Sequence, residues 1–296
     1  MKQIILGLSA VAALTLPVAA AALDTLAKIR DKQTIVLAYR VVSSPFSYLD
    51  KNKQPTGYAV ELCVKAAEAV KRELKLPNLN VRFIPVDSAT RFTAITDGTA
   101  DLECGTTTNN AERRQIVAFS IPFFFSGVRA LVRSDAGIRN WPDLRNRTVV
   151  TTKSTTTVAL LNERNNVRSL NIKLLEGSDD MDSFMHVEQG KADVFPMDDV
   201  LLYSLRAGAK NPKAFSIVGD PLSVEPYAIM LRKGDPAFKK IVDAEMIQLI
   251  NSGEIYRIYN RWFMQPIPPN GINLNMPMGF LLRDSWRYPS DKVGEL

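Results

Sequence analysis

Strand-like and helix-like segments alternate regularly along this sequence, and this alternation restricts its fold more than any other feature. A β-branched, apolar run at residues 33–39 precedes an apolar face that recurs at helical spacing from Leu62 to Leu74, and residues 80–85 again resemble a strand. Further strands are predicted over residues 100–104, 147–151, 171–175, 192–197 and 227–232, and further helices from Ser88 to Gly98, from Val158 onward, and over residues 178–188 and 235–251. Such alternation predicts an α/β fold with largely parallel sheets.

Two hydroxyl-rich segments directly follow predicted strands, one in each half of the chain. The first spans residues 105–110, and the second spans residues 152–157 and precedes a predicted helix. In open α/β sheets, ligands bind beyond the carboxyl ends of strands, where the next helix presents free amide groups. These two turns are therefore the first candidates for a ligand site.

Two charged residues next to these strand ends have the polarity of an amino-acid site. Arg113 follows the first hydroxyl-rich run, and a guanidinium can bind a carboxylate through two parallel hydrogen bonds. Asp198 ends the strand predicted at 192–197, where a carboxylate could receive an ammonium group. Together they predict a site with one end for a carboxylate and one for an amine.

Motifs of common enzyme and metal sites are absent from the sequence. His186 is the single histidine and no CxxC occurs, so zinc sites with several His or Cys ligands cannot be assembled. No GxSxG, P-loop or GxGxxG is found. The acidic run 179–182 lacks the glycine and glutamate of a calcium loop and is more typical of a helix start. We predict no cofactor and no metal.

The first 22 residues have the pattern of a cleaved secretory signal peptide. Lys2 supplies a positive charge, residues 4–18 are almost wholly apolar, and residues 20–22 are small. The alternative is a membrane anchor, but the apolar run is shorter than the roughly 20 residues that a span requires. We therefore expect a mature, soluble protein that begins near Leu23 and is exported to the periplasm.

Cysteine content is consistent with export. Cys63 and Cys104 are the only two cysteines, and neither lies in a CxxC pair. An even number in an oxidising compartment predicts a disulfide, with two buried free thiols as the alternative.

Length and charge further limit the classes of protein to which this sequence can belong. A chain of 296 residues with 46% hydrophobic and 23% charged residues is typical of a globular protein of two lobes or one large domain. The net charge of +6 comes from basic residues that are scattered and often lie beside acids. This pattern favours a solvated surface over a nucleic-acid-binding one.

Four parts of the sequence resemble the periplasmic polar amino-acid-binding proteins of ABC importers, above all their glutamate/aspartate-binding members. They are Tyr39-Arg40 with residues 45–48, residues 101–113, residues 197–199, and residues 261–263 with 266–269. The resemblance implies a type II periplasmic binding protein, in which two lobes, each a mixed and mostly parallel sheet flanked by helices, are joined by two hinge strands. Lobe 1 would comprise residues 23–128 and 227–296, and lobe 2 residues 129–226.

The resemblance also implies a ligand-binding set. The α-carboxylate would meet Arg113, the Thr106 and Thr108 region and the turn at 155–156, while Asp198 would hold the α-ammonium group. A side-chain carboxylate would meet a second group of basic and hydroxyl residues. The complete set is Arg40, Ser88, Arg91, Thr106, Thr108, Arg113, Thr152, Thr155, Thr156 and Asp198, with Thr152 lining the cleft from lobe 2.

One position departs from the acidic-ligand pattern. Met181 stands where those members are expected to carry a histidine, and a thioether cannot donate a hydrogen bond to a carboxylate. The choice among aspartate, glutamate and the amide-bearing amino acids is therefore open at this point.

The function expected from these features is that of a periplasmic receptor, not an enzyme. It would bind a free acidic or polar amino acid, glutamate or aspartate first, and deliver it as a monomer to the permease of an ABC importer. The alternative is an enzyme on the same fold, a cyclohexadienyl dehydratase of the prephenate/arogenate type, for which Glu103 and Glu225 are the nearest candidate general acids. A sensor region of a signalling receptor is a third class, which the sequence does not favour.

Overall fold

A computed structural model describes residues 24–294, so the predicted signal peptide lies outside the described residues. The strands are β1 (Thr34–Arg40), β2 (Val42–Ser43), β3 (Ser47–Leu49), β4 (Pro55–Thr56), β5 (Asn80–Val86), β6 (Leu102–Cys104), β7 (Val117–Phe119), β8 (Phe124–Ser126), β9 (Val128–Arg133), β10 (Thr148–Thr152), β11 (Lys173–Gly177), β12 (Val194–Asp198), β13 (Phe215–Val218), β14 (Glu225–Tyr227) and β15 (Met230–Arg232). The helices are α1 (Thr25–Lys32), α2 (Tyr58–Leu74), α3 (Arg91–Thr96), α4 (Thr156–Arg168), α5 (Asp180–Glu188), α6 (Asp199–Gly208), α7 (Pro236–Asn251), α8 (Glu254–Phe263) and α9 (Phe280–Ser285).

Two five-stranded mixed sheets organise the chain. The first has the order β5-β1-β6-β15-β7, with β1 parallel to β5 and β6 and with β15 antiparallel to both of its neighbours. The second has the order β11-β10-β12-β9-β13, with β10 parallel to β11 and β12 and with β9 antiparallel to β12 and β13. The predicted α/β fold with a mixed sheet in each of two lobes is therefore confirmed.

Two short antiparallel strands connect the sheets. β8 leads into β9 of the second sheet, and β14 returns the chain toward β15 of the first; they pair through Glu225 with Ser126 and Tyr227 with Phe124. Phe46 packs against this pair, with ring centroids 4.9 Å from Phe124 and 5.2 Å from Tyr227. The aromatic contacts attach the connection to the first lobe. The predicted lobe boundaries at residues 128 and 226 fall beside these strands and stay a prediction.

Helix α2 shows how local sequence builds the first lobe. Leu62, Ala66 and Val70 are fully buried, as the helical spacing predicts. The helix begins after Gly57, which has φ +129° and whose missing Cβ would lie 2.2 Å from the carbonyl oxygen of Phe46. Only glycine fits this approach, so it determines where α2 starts.

One predicted helix begins later in the structure. Helix α3 begins at Arg91, not at Ser88, because residues 87–90 form a turn in which the Asp87 carboxylate accepts hydrogen bonds from the amides of Ala89 and Thr90. The segment after Pro266 is anchored to the first lobe, because Trp286 is buried and its Nε1 donates to the carbonyl of Pro122. Within residues 24–294, no helix combines the length and apolar character needed to cross a membrane.

The predicted disulfide is present. Cys63 of α2 and Cys104 at the end of β6 are bonded with a Cα–Cα distance of 5.9 Å, and both are fully buried. The bond ties α2 to the strand that leads into the first hydroxyl-rich turn.

Replacing both cysteines by alanine is expected to lower the free energy of unfolding. The bond closes a loop with a sequence separation of 41 residues, for which the chain-entropy model gives about 4 kcal/mol. Urea unfolding of the double variant Cys63→Ala/Cys104→Ala and of the oxidised and reduced wild type measures this. A loss below about 1 kcal/mol in the double variant would contradict a stabilising role.

Candidate ligand-binding site

A small cavity lies where the strand ends of the two sheets face each other. Its walls come from the carboxyl ends of β1, β6, β10 and β12, the place where open α/β sheets bind ligands. Nine of the ten predicted site residues line it, and two further residues join them. The lining residues are Arg40, Ser88, Arg91, Thr106, Thr108, Arg113, Thr155, Thr156, Asp180, Met197 and Asp198.

Glycine at the start of the first hydroxyl-rich turn makes room for the arginine at the end of β1. A Cβ on Gly105 would lie 2.8 Å from Cγ of Arg40 and 2.2 Å from the Glu103 carboxylate. Because the backbone passes this close, the side chain of Arg40 can run along the turn and reach the cavity.

One wall of the cavity carries three buried guanidinium groups. Arg40 donates to Ser88 Oγ at 2.8 Å, and Arg113 donates to the Thr108 carbonyl at 3.1 Å. Arg91 donates to Thr107 Oγ1 at 2.9 Å, while its Nε has no hydrogen-bond partner among the described residues. This wall therefore keeps unused donors for an anion.

Burial lowers the pKa of two of these guanidinium groups. Desolvation, together with the positive charges of Arg113 and Arg40, lowers the pKa of Arg91 to about 9. Desolvation also lowers the pKa of Arg113. A bound anion would offset both effects, so the electrostatics of the cavity favour a negative group.

Asp198 provides the opposite charge at the end of β12. It is 3% exposed, its Oδ2 accepts a hydrogen bond from the hydroxyl of Tyr227, and its Oδ1 has no partner among residues 24–294. Burial raises its pKa well above the ordinary value, and the nearby charge of Glu225 adds to the rise. The free oxygen is where a cationic donor would be accommodated.

Glu225 on β14 joins the two hydroxyl-rich turns. Its Oε2 accepts hydrogen bonds from Thr108 at 2.7 Å and Thr156 at 3.1 Å, and its Oε1 accepts one from Ser223 at 2.7 Å. Because both oxygens already act as acceptors, Glu225 has the pattern of a fixed carboxylate that holds the two turns together. Its role in positioning the turns was not visible in the sequence, because its partners are distant along the chain.

The second turn differs in one respect from the prediction. Thr155 precedes α4 and donates to the carbonyl of Thr152 at 2.7 Å. Thr152 itself, expected to line the cleft, is fully buried one layer behind the cavity, because its hydroxyl donates to Asp180 Oδ1 at 2.6 Å. Thr152 therefore positions the side chain of Asp180, which lines the cavity, and does not line the cavity itself.

The acidic run at the start of α5 presents Asp180, not Met181, to the cavity. Met181 is 43% exposed and lies in a neighbouring groove with Tyr48 and Leu205. Asp180 shares the buried face of α5 with Ser183, Phe184 and Val187. This i, i+3, i+4, i+7 spacing was available in the sequence and could have identified Asp180 as the inward residue.

We expect Asp198→Asn to stabilise the ligand-free protein at neutral and alkaline pH. Because the folded-state pKa of Asp198 is raised, its contribution to stability is present below about pH 4 and is lost as pH rises through that pKa. An asparagine keeps an acceptor for Tyr227 and carries no charge. The variant should therefore be more stable than the wild type at pH 8.

Thermal melting of both ligand-free proteins from pH 4 to 8 tests this. The melting temperature of the variant should exceed that of the wild type at pH 8, with a difference that shrinks toward pH 4. A variant that is less stable throughout the range would show that the charge of Asp198 is compensated within the fold.

Comparison with known proteins places these features in context. Residues 35–265 match the family model of bacterial extracellular solute-binding proteins, family 3. The chain is similar to an L-glutamate/L-aspartate-binding protein of Pseudomonas aeruginosa, with 45% identity covering 96% of this chain and 95% of the relative. It is 40% identical to a glutamate/aspartate import solute-binding protein of Salmonella typhimurium, covering 98% and 96%. A crystal structure of L-cysteine solute receptors of Neisseria gonorrhoeae has a TM-score of 0.71 at 22% identity, covering 81% and 93%, and supports the fold alone.

Proposed function

Because this chain belongs to the bacterial extracellular solute-binding proteins of family 3, we propose that it is a periplasmic receptor that binds free glutamate or aspartate and delivers it to the permease of an ABC importer. The observation that carries this proposal is the single cavity in which three buried guanidiniums face a buried carboxyl group with a free oxygen. The names of the two similar binding proteins support the same ligand class.

The α-carboxylate and α-ammonium of the ligand are assigned to Arg113 and Asp198. Arg113 uses one nitrogen on the Thr108 carbonyl, which fixes the guanidinium plane and leaves other N–H groups for a carboxylate. Thr106, Thr108 and the turn at 155–156 line the same cavity. Asp198 Oδ1 is free to accept from an ammonium group, which would also relieve the cost of burying its charge.

The side-chain carboxylate is assigned to Arg40, Ser88 and Arg91. Ser88 already accepts from Arg40, so its own hydroxyl proton is available for the ligand. With both lining carboxyls ionised, the three arginines leave the cavity with a net charge of +1. Glutamate and aspartate, with a net charge of −1, complement it.

The hydrogen bonds expected between the cavity and the charged groups of the ligand are sufficient for micromolar binding. A hydrogen bond to a charged group contributes about 1.5–3 kcal/mol. Four or five such bonds would support micromolar binding, which requires about −8 kcal/mol.

Closure of the two lobes over the ligand follows from the same contacts. Arg91 of the first lobe reaches the Ser154 carbonyl of the second at 3.4 Å, and Glu225 bonds hydroxyls of both turns. β8 and β14 are the only strand pair that links the two sheets within the described residues. We infer that rotation about this pair opens and closes the cavity.

An enzymatic role is not favoured. The similar proteins of Pseudomonas and Salmonella are named as binding and import proteins. The dehydratase alternative requires a general acid that can give a proton to the substrate. Glu225 instead accepts three hydrogen bonds from hydroxyl groups, and Thr107 donates to Glu103 at 2.7 Å.

Arginine-to-alanine variants test the contributions of the two ends of the site separately. Arg113→Ala is expected to weaken binding of every amino acid by at least about 100-fold, because two charge-assisted bonds to the shared α-carboxylate are lost. Arg91→Ala should chiefly weaken acidic ligands and so reduce the preference for glutamate over neutral amino acids. Isothermal titration of ligand-stripped protein measures both effects.

Arg82→Ala is the matched control, because Arg82 is an exposed arginine of β5 outside the cavity. It should bind like the wild type. Wild-type glutamate affinity in both cavity variants would reject the site as assigned, and failure of the wild type to bind any amino acid would reject the proposed function.

A further inference from the structure

The basic end of the cavity contains an acid that a glutamate or aspartate side chain does not need. Asp180, the first residue of α5, is 1% exposed and lines the cavity together with Arg40, Ser88 and Arg91. It belongs to the second lobe and faces these residues of the first. A ligand side chain bound there lies between two cations and one carboxyl group.

One oxygen of Asp180 is held by the protein and the other is not. Oδ1 accepts the hydrogen bond from Thr152, which fixes the plane of the carboxyl group. Oδ2 is buried and has no hydrogen-bond partner among residues 24–294. A buried polar atom without a partner is costly, so a ligand group that bonds to Oδ2 is favoured over one that does not.

The chemistry of possible ligand groups limits how that bond can form. A side-chain carboxylate only accepts, so it can bond to Asp180 only if Asp180 carries a proton and donates it. A carboxamide has both functions: its carbonyl can accept from Arg40 or Arg91 while its NH₂ donates to ionised Asp180. The same end of the cavity can therefore satisfy either group, in different protonation states.

The charges around Asp180 allow both states. Burial raises its pKa, the negative charge of Asp179 on the same helix adds to the rise, and the attraction of Arg40 on β1 and Arg91 on α3 opposes it. Asp198, which also lines the cavity, is a further acid on this side. Whether Asp180 carries a proton therefore depends on pH and on the ligand group bound opposite it.

We propose that Asp180 is a specificity-determining residue, through which the cavity accepts a side-chain carboxamide as well as a carboxylate, in a ratio set by pH. This inference rests on the proposed function and extends its ligand class to glutamine and asparagine. Binding a carboxylate takes up one proton at Asp180 when that group is ionised beforehand. Binding a carboxamide takes up none.

The test compares glutamate with glutamine by isothermal titration at pH 5 and pH 8. Both ligands share the α-carboxylate and α-ammonium groups, so the titration of Asp198 affects them alike and cancels in the ratio of their dissociation constants. In the wild type, the preference for glutamate should decrease at least about tenfold from pH 5 to pH 8, since each pH unit above the pKa of Asp180 can cost up to tenfold. Glutamine should still bind at pH 8.

Asp180→Asn should make this ratio independent of pH, because asparagine donates or accepts without titrating and retains the acceptor for Thr152. Asp179→Asn is the matched control: it removes a charge one residue away, and its side chain keeps the capping bond to the Asp182 amide while lying in a different pocket. It should retain the pH-dependent ratio. Asp180→Ser serves as a second variant if the first does not fold, and it should also give a constant ratio.

The outcomes separate this inference from the proposed function. A wild-type ratio that does not change with pH, a pH-dependent ratio that persists in Asp180→Asn or Asp180→Ser, or glutamate binding without glutamine binding at pH 8 would overturn the role of Asp180 alone. Failure of all four ligands, aspartate and asparagine included, would reject both proposals.

Discussion

Charge buried between two lobes is the constraint on which the rest of this structure depends. Arg40, Arg91 and Arg113 lie within one cavity at exposures below 10%, opposite Asp180 and Asp198. Burial of these charges in a medium of low dielectric constant is costly, and the depressed pKa of Arg91 and the raised pKa of Asp198 follow from desolvation first and from neighbouring like charges second. Groups of a ligand that bond to these charges would offset the cost, so the fold limits the chemistry that the cavity can accept.

The remaining architecture holds these charges in place. The disulfide joins α2 to β6 just before the first hydroxyl-rich turn, and Gly105 lets the chain pass close to Arg40. Glu225 sits on one of the two connecting strands and bonds the turns of both lobes. Through Glu225, the connecting strand β14 and both hydroxyl-rich turns are joined by hydrogen bonds at the edge of the site.

Specificity and recognition of the amino-acid group are separated in space. The contacts to the α-carboxylate and α-ammonium groups, assigned to Arg113 and Asp198, would be the same for any amino acid. Discrimination falls to the end formed by Arg40, Ser88, Arg91 and Asp180, where cations of one lobe meet an acid of the other. If the assignment holds, substitution of Asp180 in the second lobe would change the ligand preference and leave the contacts at Arg113 and Asp198 in place.

Much of the fold could be predicted because its central strands are buried on both faces. β1, β10 and β12 are apolar or β-branched runs, and each was located to within about two residues. The strands β2, β3, β4, β7, β8, β13 and β14 are two to four residues long and were missed, since so short a segment has no recognisable periodicity. The longer strand β9 and the helices α1, α6, α8 and α9 were also missed. The burial of Trp286 depends on a contact with Pro122 far along the chain.

The sequence by itself determined the α/β class, the cysteine pair, and the residue types at the strand ends, because these depend on local periodicity and composition. Nine of ten predicted site residues lie on one cavity for that reason. Only the tertiary structure decided that the buried face of α5 borders this cavity, that Thr152 lies behind it, and that Glu225 bonds both turns. Those outcomes depend on how segments distant along the chain meet, which local periodicity does not show.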